Sequence, residues 1–255
     1  MVHQFWGVTM VGAGDDRADA QAGQRSDALP VHLQISEMMI REIGAGRLAD
    51  GQRLPPERRM AADHGTTVRT LRKALAELEA QGLLERRQGS GNYIRAGAPT
   101  RAVYSMFRLE HAQGGGGLPR AQLLSVETLD KDADQPAYGT SRRATRFRRL
   151  RYLDDTPIAV EEIWLDGGAG EIPPQMVQDS LYLTYKRALK LWITRAEDRV
   201  GLGRVPDWAP PEFAPPPGSV TPFIRRLSWA QAPGAVEFSR TWYDSDRALY
   251  VQRLV

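Results

Sequence analysis

Thr67 is followed within six residues by Arg69, Thr70, Arg72 and Lys73, three cations and a hydroxyl close together. From Val68 the apolar residues Leu71, Ala74, Leu75 and Leu78 recur at helical spacing, which predicts an amphipathic helix with one buried face. Gly82 is its predicted C-cap and Thr67 its predicted N-cap, the hydroxyl accepting from first-turn amides. The cations therefore sit beside the positive end of a helix dipole, a surface suited to a polyanion.

A second constellation lies far along the chain. In a strand, alternate residues share a face, so Arg149 and Arg151 point together, as do Ala159, Glu161 and Ile163, and again Glu237, Ser239, Thr241 and Tyr243. Two arginines, two glutamates and a tyrosine over one sheet face would form a polar pocket for a small metabolite with anionic and hydroxyl groups, because guanidinium forks match carboxylate and phosphate. Spacing alone leaves a second reading open, in which these residues are solvated inter-strand ion pairs.

The elements that must position the first group are a helix over 30–43, a loop over 51–56, a short helix with Met60 and Ala61 inward and Arg58 and Arg59 outward, and the turn Gly65-Thr66-Thr67. His64 ends the short helix as a polar cap or phosphate contact. After Gly82, the runs 83–87 and 92–95 flank Gln88-Gly89-Ser90-Gly91, which predicts a glycine-tipped hairpin. Two helices around a tight turn followed by a hairpin form a winged helix-turn-helix. Its second helix offers N-terminal residues to base edges.

The second group needs a sheet. Strands are predicted over 122–129, 146–152, 157–165, 194–202, 222–229 and 235–243, with a turn at Asp154-Asp155-Thr156, a helix within 179–192, a proline-rich loop over 206–218 and an edge segment over 250–255. The expected organisation is a disordered extension over 1–27, the winged helix-turn-helix over 28–96, a linker and flexible loop over 97–120, and an α+β sheet domain over 121–255. Four glycines at 114–117 lack a following Gly-Lys-Ser/Thr, so they are not a P-loop and read as the flexible loop.

Composition narrows the function classes. The 255 residues carry 34 basic and 31 acidic side chains, a net charge of +3, too modest for a sequence-indifferent DNA-packaging protein dominated by phosphate contacts. The absence of cysteine removes disulfides, thiolate metal sites and cysteine nucleophiles. No cofactor or metal is expected. There is no apolar run of membrane-spanning length and no signal-peptide pattern, so the expected location is the cytoplasm, in association with the nucleoid.

The blocks Leu54-Pro55-Pro56-Glu57-Arg58, 65–72, Gly82-Leu83-Leu84 and 89–94, in this order and spacing, resemble the DNA-binding domain of GntR-family transcription regulators. The resemblance implies DNA contacts by Arg58, Arg69, Thr70, Arg72 and the wing Gly89. With the cap Thr67 and the adjoining Gln88 these make the predicted DNA-binding set. Val68 stands where the family often has arginine, so the operator sequence does not follow by analogy. The pattern Arg149-x-Arg151, 157–161, Ser180-Leu181-Tyr182 and Val236-Glu237-x-Ser239-x-x-Trp242-Tyr243 resembles the UTRA effector-binding domain, which follows a GntR-type head in the HutC subfamily. That resemblance implies a chorismate-lyase-like antiparallel-sheet fold and effector contacts by Arg149, Arg151, Glu161, Ser180, Glu237 and Tyr243. The function implied is a metabolite-responsive repressor, a homodimer that binds double-stranded operator DNA and is released by a small-molecule effector. The alternative is chorismate-lyase-like enzyme activity in the C-terminal domain, for which no nucleophile motif or metal-ligand cluster speaks.

Overall fold

A computed structural model describes residues 29–95, 104 and 106–253. The chain divides into two units, residues 1–105 and 106–255. The extension expected over 1–27 lies outside the described residues.

In the first unit, helices α1 (Val31–Gly44), α2 (Glu57–Asp63) and α3 (Val68–Ala80) precede a hairpin of β1 (Leu84–Arg87) and β2 (Gly91–Ile94). The predicted stripe is the core side of α3: Leu71, Ala74, Leu75 and Leu78 are fully buried, against Met39, Ile40 and Ile43 of α1, Met60 of α2, and Leu54, Leu83 and Ile94. A 13-residue helix is marginal alone. Burying each large aliphatic side chain contributes about 1.5–3 kcal/mol, so tertiary packing holds α3 in place. The helix stops at Gln81, and Gly82 follows with φ +73°, a left-handed conformation that suits glycine. The segment before α2, expected as a plain loop, is stitched along the wing: Ile94 N–H donates to the Gln52 carbonyl at 2.9 Å and Leu54 N–H to the Asn92 carbonyl at 2.8 Å.

The second unit is a six-stranded antiparallel sheet in the order β4-β5-β6-β9-β8-β7. Its strands are β4 (Pro119–Asp130), β5 (Arg143–Leu153), β6 (Thr156–Asp166), β7 (Arg195–Arg204), β8 (Val220–Trp229) and β9 (Ala235–Tyr243). Helix α4 (Leu181–Leu189) lays Leu181 and Tyr185 over one face, against Phe147, Ile163 and Leu165. The proline-rich segment after β7 covers the other face with Val205, Trp208 and Phe213, packed on Leu150, Val160 and Trp242.

Two expectations need correction. The linker and loop over 97–120 contain a strand, β3 (Leu109–His111), and β4 already begins at Pro119. The edge expected over 250–255 is instead β10 (Ala248–Tyr250), which pairs with β3 in a separate two-stranded sheet. Three-residue strands carry too little alternation to register as a pattern, and Leu109 and Ala248 are buried only because they meet Ile158, Ile224 and Tyr243. The glycine run is a bonded turn, with His111 N–H donating to the Gly115 carbonyl at 3.0 Å and the His111 ring 2.9 Å from Asp154.

Candidate functional site

The first candidate surface is the N-terminal end of α3 with its wing. Thr67 is extended, and its Oγ1 accepts from the Thr70 N–H at 3.1 Å, the geometry of an N-cap. The same hydroxyl lies 3.0 Å from the Thr70 hydroxyl, so Thr70 is partly engaged in capping. Arg69, Arg72 and Lys73 are exposed, as is Arg58 on α2, because the buried stripe leaves them on the opposite side of each helix. Arg58 and Arg69 form no ion pair among the described residues, whereas Arg72 Nε is 2.6 Å from Glu57. His64 closes α2 partly buried, and burial lowers its pKa.

At the wing, Gln88 and Gly89 are exposed at the tip, and Gly89 has φ +72°, which favours glycine. Ser90 N–H donates to the Arg87 carbonyl at 3.0 Å, and the Ser90 and Tyr93 hydroxyls are 2.7 Å apart. The Arg87 guanidinium stacks 4.3 Å over the Tyr93 ring. Arg53 adds a cation that sequence reasoning missed. It forms a bridge with Tyr93 and lies against Gly91, where a Cβ would meet its Nε at 3.3 Å. No local pattern distinguishes Arg53 from a loop residue, since only the stitching to β2 carries it to the wing.

The second candidate is the sheet face under α4. Register places Arg149 opposite Glu161, Arg151 opposite Ala159, and Glu161 opposite Thr241, so the parity expected from the sequence does bring these side chains to one face. They are buried. Arg149 and Glu161 form a short ion pair, Arg151 lies 3.4 Å from the same carboxylate, and both arginines donate to the Asp179 carbonyl at 3.2 and 3.3 Å. Burial pushes the Glu161 pKa up, but the two arginines outweigh it and hold the carboxyl below its ordinary value. Among the described residues the buried Arg149 Nε has no hydrogen-bond partner. Arg151 also sits 4.7 Å over the ring of Phe107.

Glu237, opposite Leu165 and further along the face, is fully buried and accepts from Tyr185 at 2.7 Å, Ser228 at 2.8 Å and Tyr182 at 3.2 Å. Its pKa is raised, burial outweighing these donors. Burial, with Glu237 nearby, pushes Tyr185 far above its ordinary value. Ser180 caps α4, accepting from the Leu183 N–H at 3.3 Å, so its hydroxyl is committed to the helix. Tyr243 shares the face but sits at its far end, buried among Leu109, Ile158 and Ile224.

Sequence reasoning missed Arg226 and Asp198. Register puts Arg226 opposite Ser239 and Asp198 opposite Arg226, on the same face. Asp198 holds Arg226 in a bidentate pair at 2.5 and 2.6 Å and accepts from Tyr250 at 2.7 Å. Beside them opens a cleft of about 200 Å³ lined by Met106, Arg108, Ala196, Asp198, Arg226, Tyr250 and Gln252. The alternation of Asp198 with Ala196, and of Arg226 with Ser228, was readable as parity. Without a pairing between β7 and β9's neighbour β8 it pointed nowhere. Among the described residues no group of three or more His, Asp or Glu is placed to hold a metal, and no helix is long and apolar enough to cross a membrane.

The comparisons with known proteins follow this division. The family of bacterial regulatory proteins named gntR matches residues 32–94, and the UTRA domain matches residues 115–248. The chain is 54% identical over 228 residues to the HTH-type transcriptional regulator SmoD of Agrobacterium fabrum, covering 89% of this chain and 97% of the relative. It is 25% identical over 232 residues to the HTH-type transcriptional repressor NagR of Bacillus subtilis, covering 89% and 96%. It is 27% identical over 179 residues to MngR of Escherichia coli, the repressor of a mannosyl-D-glycerate transport and metabolism system, covering 67% and 73%. By these matches the chain belongs to the GntR family of bacterial transcriptional regulators, with a UTRA domain after its helix-turn-helix head.

Proposed function

We propose that the chain is a metabolite-responsive repressor of the HutC subfamily, acting in the cytoplasm as a homodimer that leaves its operator when a small effector binds the second unit. The reading gives Arg58, Arg69, Thr70, Arg72, Gln88 and Gly89 contacts to DNA and Thr67 the capping of the inserted helix. Two heads then engage half-sites about one helical turn apart. The observation that carries it is the end of α3, where a side-chain cap, a helix dipole and exposed arginines converge on one solvent-facing surface.

In this reading the effector engages Arg149, Arg151, Glu161, Glu237 and Tyr243. Ser180 contributes by positioning α4, which closes over them. The buried charges support an effector that carries both an anionic group and hydroxyls, since arginine and carboxylate are each offered. Such a ligand controls DNA binding only through unequal affinity for the bound and released forms. The test is footprinting of the chain's own promoter by the full-length protein, with and without a panel of sugar phosphates and organic acids. Protection that a member of the panel reverses supports the reading, and the absence of any protected promoter defeats it.

A further inference from the structure

The effector contacts given above draw on Arg149, Arg151, Glu161 and Glu237, and leave Arg226, Asp198 and the cleft beside them without a part. The cleft opens between two pieces of one unit. Asp198 of β7 and Arg226 of β8 form its sheet side, while Met106, Arg108, Tyr250 and Gln252, in or beside the ribbon of β3 and β10, form the other. Three links tie it to the effector face. Arg226 stands in the row next to that of Glu161 and Thr241, and its charge acts on the Glu161 carboxylate together with those of Arg149 and Arg151. The Tyr182 hydroxyl, which donates to Glu237 at 3.2 Å, is also within hydrogen-bond reach of Arg226. Met106 in the cleft is followed directly by Phe107, whose ring covers the Arg151 guanidinium. The cleft therefore adjoins the effector face.

The two ends differ in what they offer. At one, Arg149 and Arg151 share a single carboxylate, Glu161, while the Asp179 carboxylate is turned to the Ala121 N–H, so positive charge is left over for an acid. At the other, Asp198 holds Arg226 and accepts from Tyr250, and Arg108 Nε donates to the Gln252 side chain at 2.8 Å. Donors and acceptors are mixed there, and a group that only accepts would lie against the Asp198 carboxylate. A hydroxyl both donates and accepts, so it suits this end. The cleft volume of about 200 Å³ is that of about six or seven waters, the scale of one monosaccharide ring.

We propose that this cleft is the hydroxyl-binding end of the effector site, with Asp198 and Arg226 as specificity-determining residues, and that the effector is a polyhydroxylated acid of monosaccharide size whose acidic group lies at Arg149 and Arg151. This rests on the effector reading given above. A site built of hydrogen-bonding groups rejects an analogue that lacks the matching hydroxyls, because its own groups are then left unpaired. Asp198 and Arg226 are the groups so exposed to loss, since their side chains are only 11% and 16% accessible.

Calorimetry on the full-length protein tests this, with glucose 6-phosphate, 6-phosphogluconate and glucuronate as hydroxylated probes and hexyl phosphate and hexanoate as acids of similar length without hydroxyls. At least one hydroxylated probe is expected to bind roughly tenfold or more tightly than its alkyl counterpart. Asp198→Asn is expected to lower that affinity roughly tenfold to a hundredfold and to leave alkyl-acid binding unchanged. Gln252→Ala, on the exposed rim, leaves the Asp198 and Arg226 pair intact and is expected to weaken only the hydroxylated probe, by a few fold. Circular dichroism checks the fold of each variant, and Gln252→Ala decides alone if Asp198→Asn does not fold. Equal affinity for hydroxylated and alkyl acids, or equal losses for both in the variants, overturns the hydroxyl-binding end and leaves the effector reading standing. Failure of every probe to bind at millimolar concentration overturns the ligand class. A bound probe whose affinity is unchanged by Arg149→Met overturns the effector reading and this proposal with it.

Discussion

Arg72 Nε on α3 lies 2.6 Å from the Glu57 carboxylate in the first turn of α2, so an arginine of the exposed helix face is tethered by a neighbouring helix. Arg72 is 62% exposed, and an exposed pair of this kind contributes no more than about 1 kcal/mol to folding. Its larger effect is on charge: Glu57 cancels part of the positive surface proposed to face DNA. Arg72→Ala is expected to weaken promoter binding by about 1–3 kcal/mol, and Glu57→Gln to strengthen binding to random DNA while leaving the melting temperature nearly unchanged. Fluorescence anisotropy across a salt series measures both. Equal affinities for wild type and Arg72→Ala would remove this residue from the interface.

Thr67 caps α3 through its hydroxyl. Thr67→Ala should cost about 1 kcal/mol of stability, and Thr67→Ser should restore most of it. Urea unfolding of the three proteins tests this. An alanine variant as stable as wild type would show that the cap hydrogen bond contributes nothing net.

Glu161 balances two buried arginines. Removing one partner from a buried charge cluster leaves the others uncompensated, so Glu161→Ala is expected to destabilise by about 3–5 kcal/mol. The double variant Arg149→Met, Glu161→Met should cost less than the sum of the single changes. Chemical denaturation of the full cycle gives the coupling, and additive losses would mean that the residues do not act as a pair.

The pKa of Glu237 is shifted in the opposite direction from that of Glu161. Its folded pKa is raised by burial, so the folded form holds the proton more tightly, and its stabilising contribution is present below the ordinary glutamate pKa of 4.5 and is lost as pH rises through the folded value. Glu161 is depressed, so its contribution is present above that value and is lost as pH falls. Glu237→Gln should therefore gain on wild type as pH rises from about 4.5 toward neutrality. Thermal melts across that range test the sign, and a variant whose deficit grows with pH would contradict it.

The head was legible because its signals are local. Leu71, Ala74, Leu75 and Leu78 announce the buried side of α3, Thr67 and Gly82 mark its ends, and Gly89 and Gly91 mark the wing. In the sheet unit, parity correctly gathered Arg149, Arg151, Glu161 and Glu237 on one face. What parity could not supply was strand order. Arg226 and Asp198 join that face only because β8 and β7 follow β9 outward in the sheet while β9 itself pairs with β6, a strand far earlier in the chain. Nor could parity show that Ser180 would spend its hydroxyl on α4. Arg53 reaches the wing, and β3 finds β10, through contacts of the same long-range kind.

The central claim is that the capped end of α3 enters a major groove. Hydroxyl-radical footprinting of the chain's own promoter, with wild type and Arg69→Ala at matched salt, tests it most directly. The account predicts two protected half-sites centred about one helical turn apart for the wild type, with protection lost or greatly weakened in the variant. Protection that is unchanged by Arg69→Ala, or absent for the wild type, would contradict it.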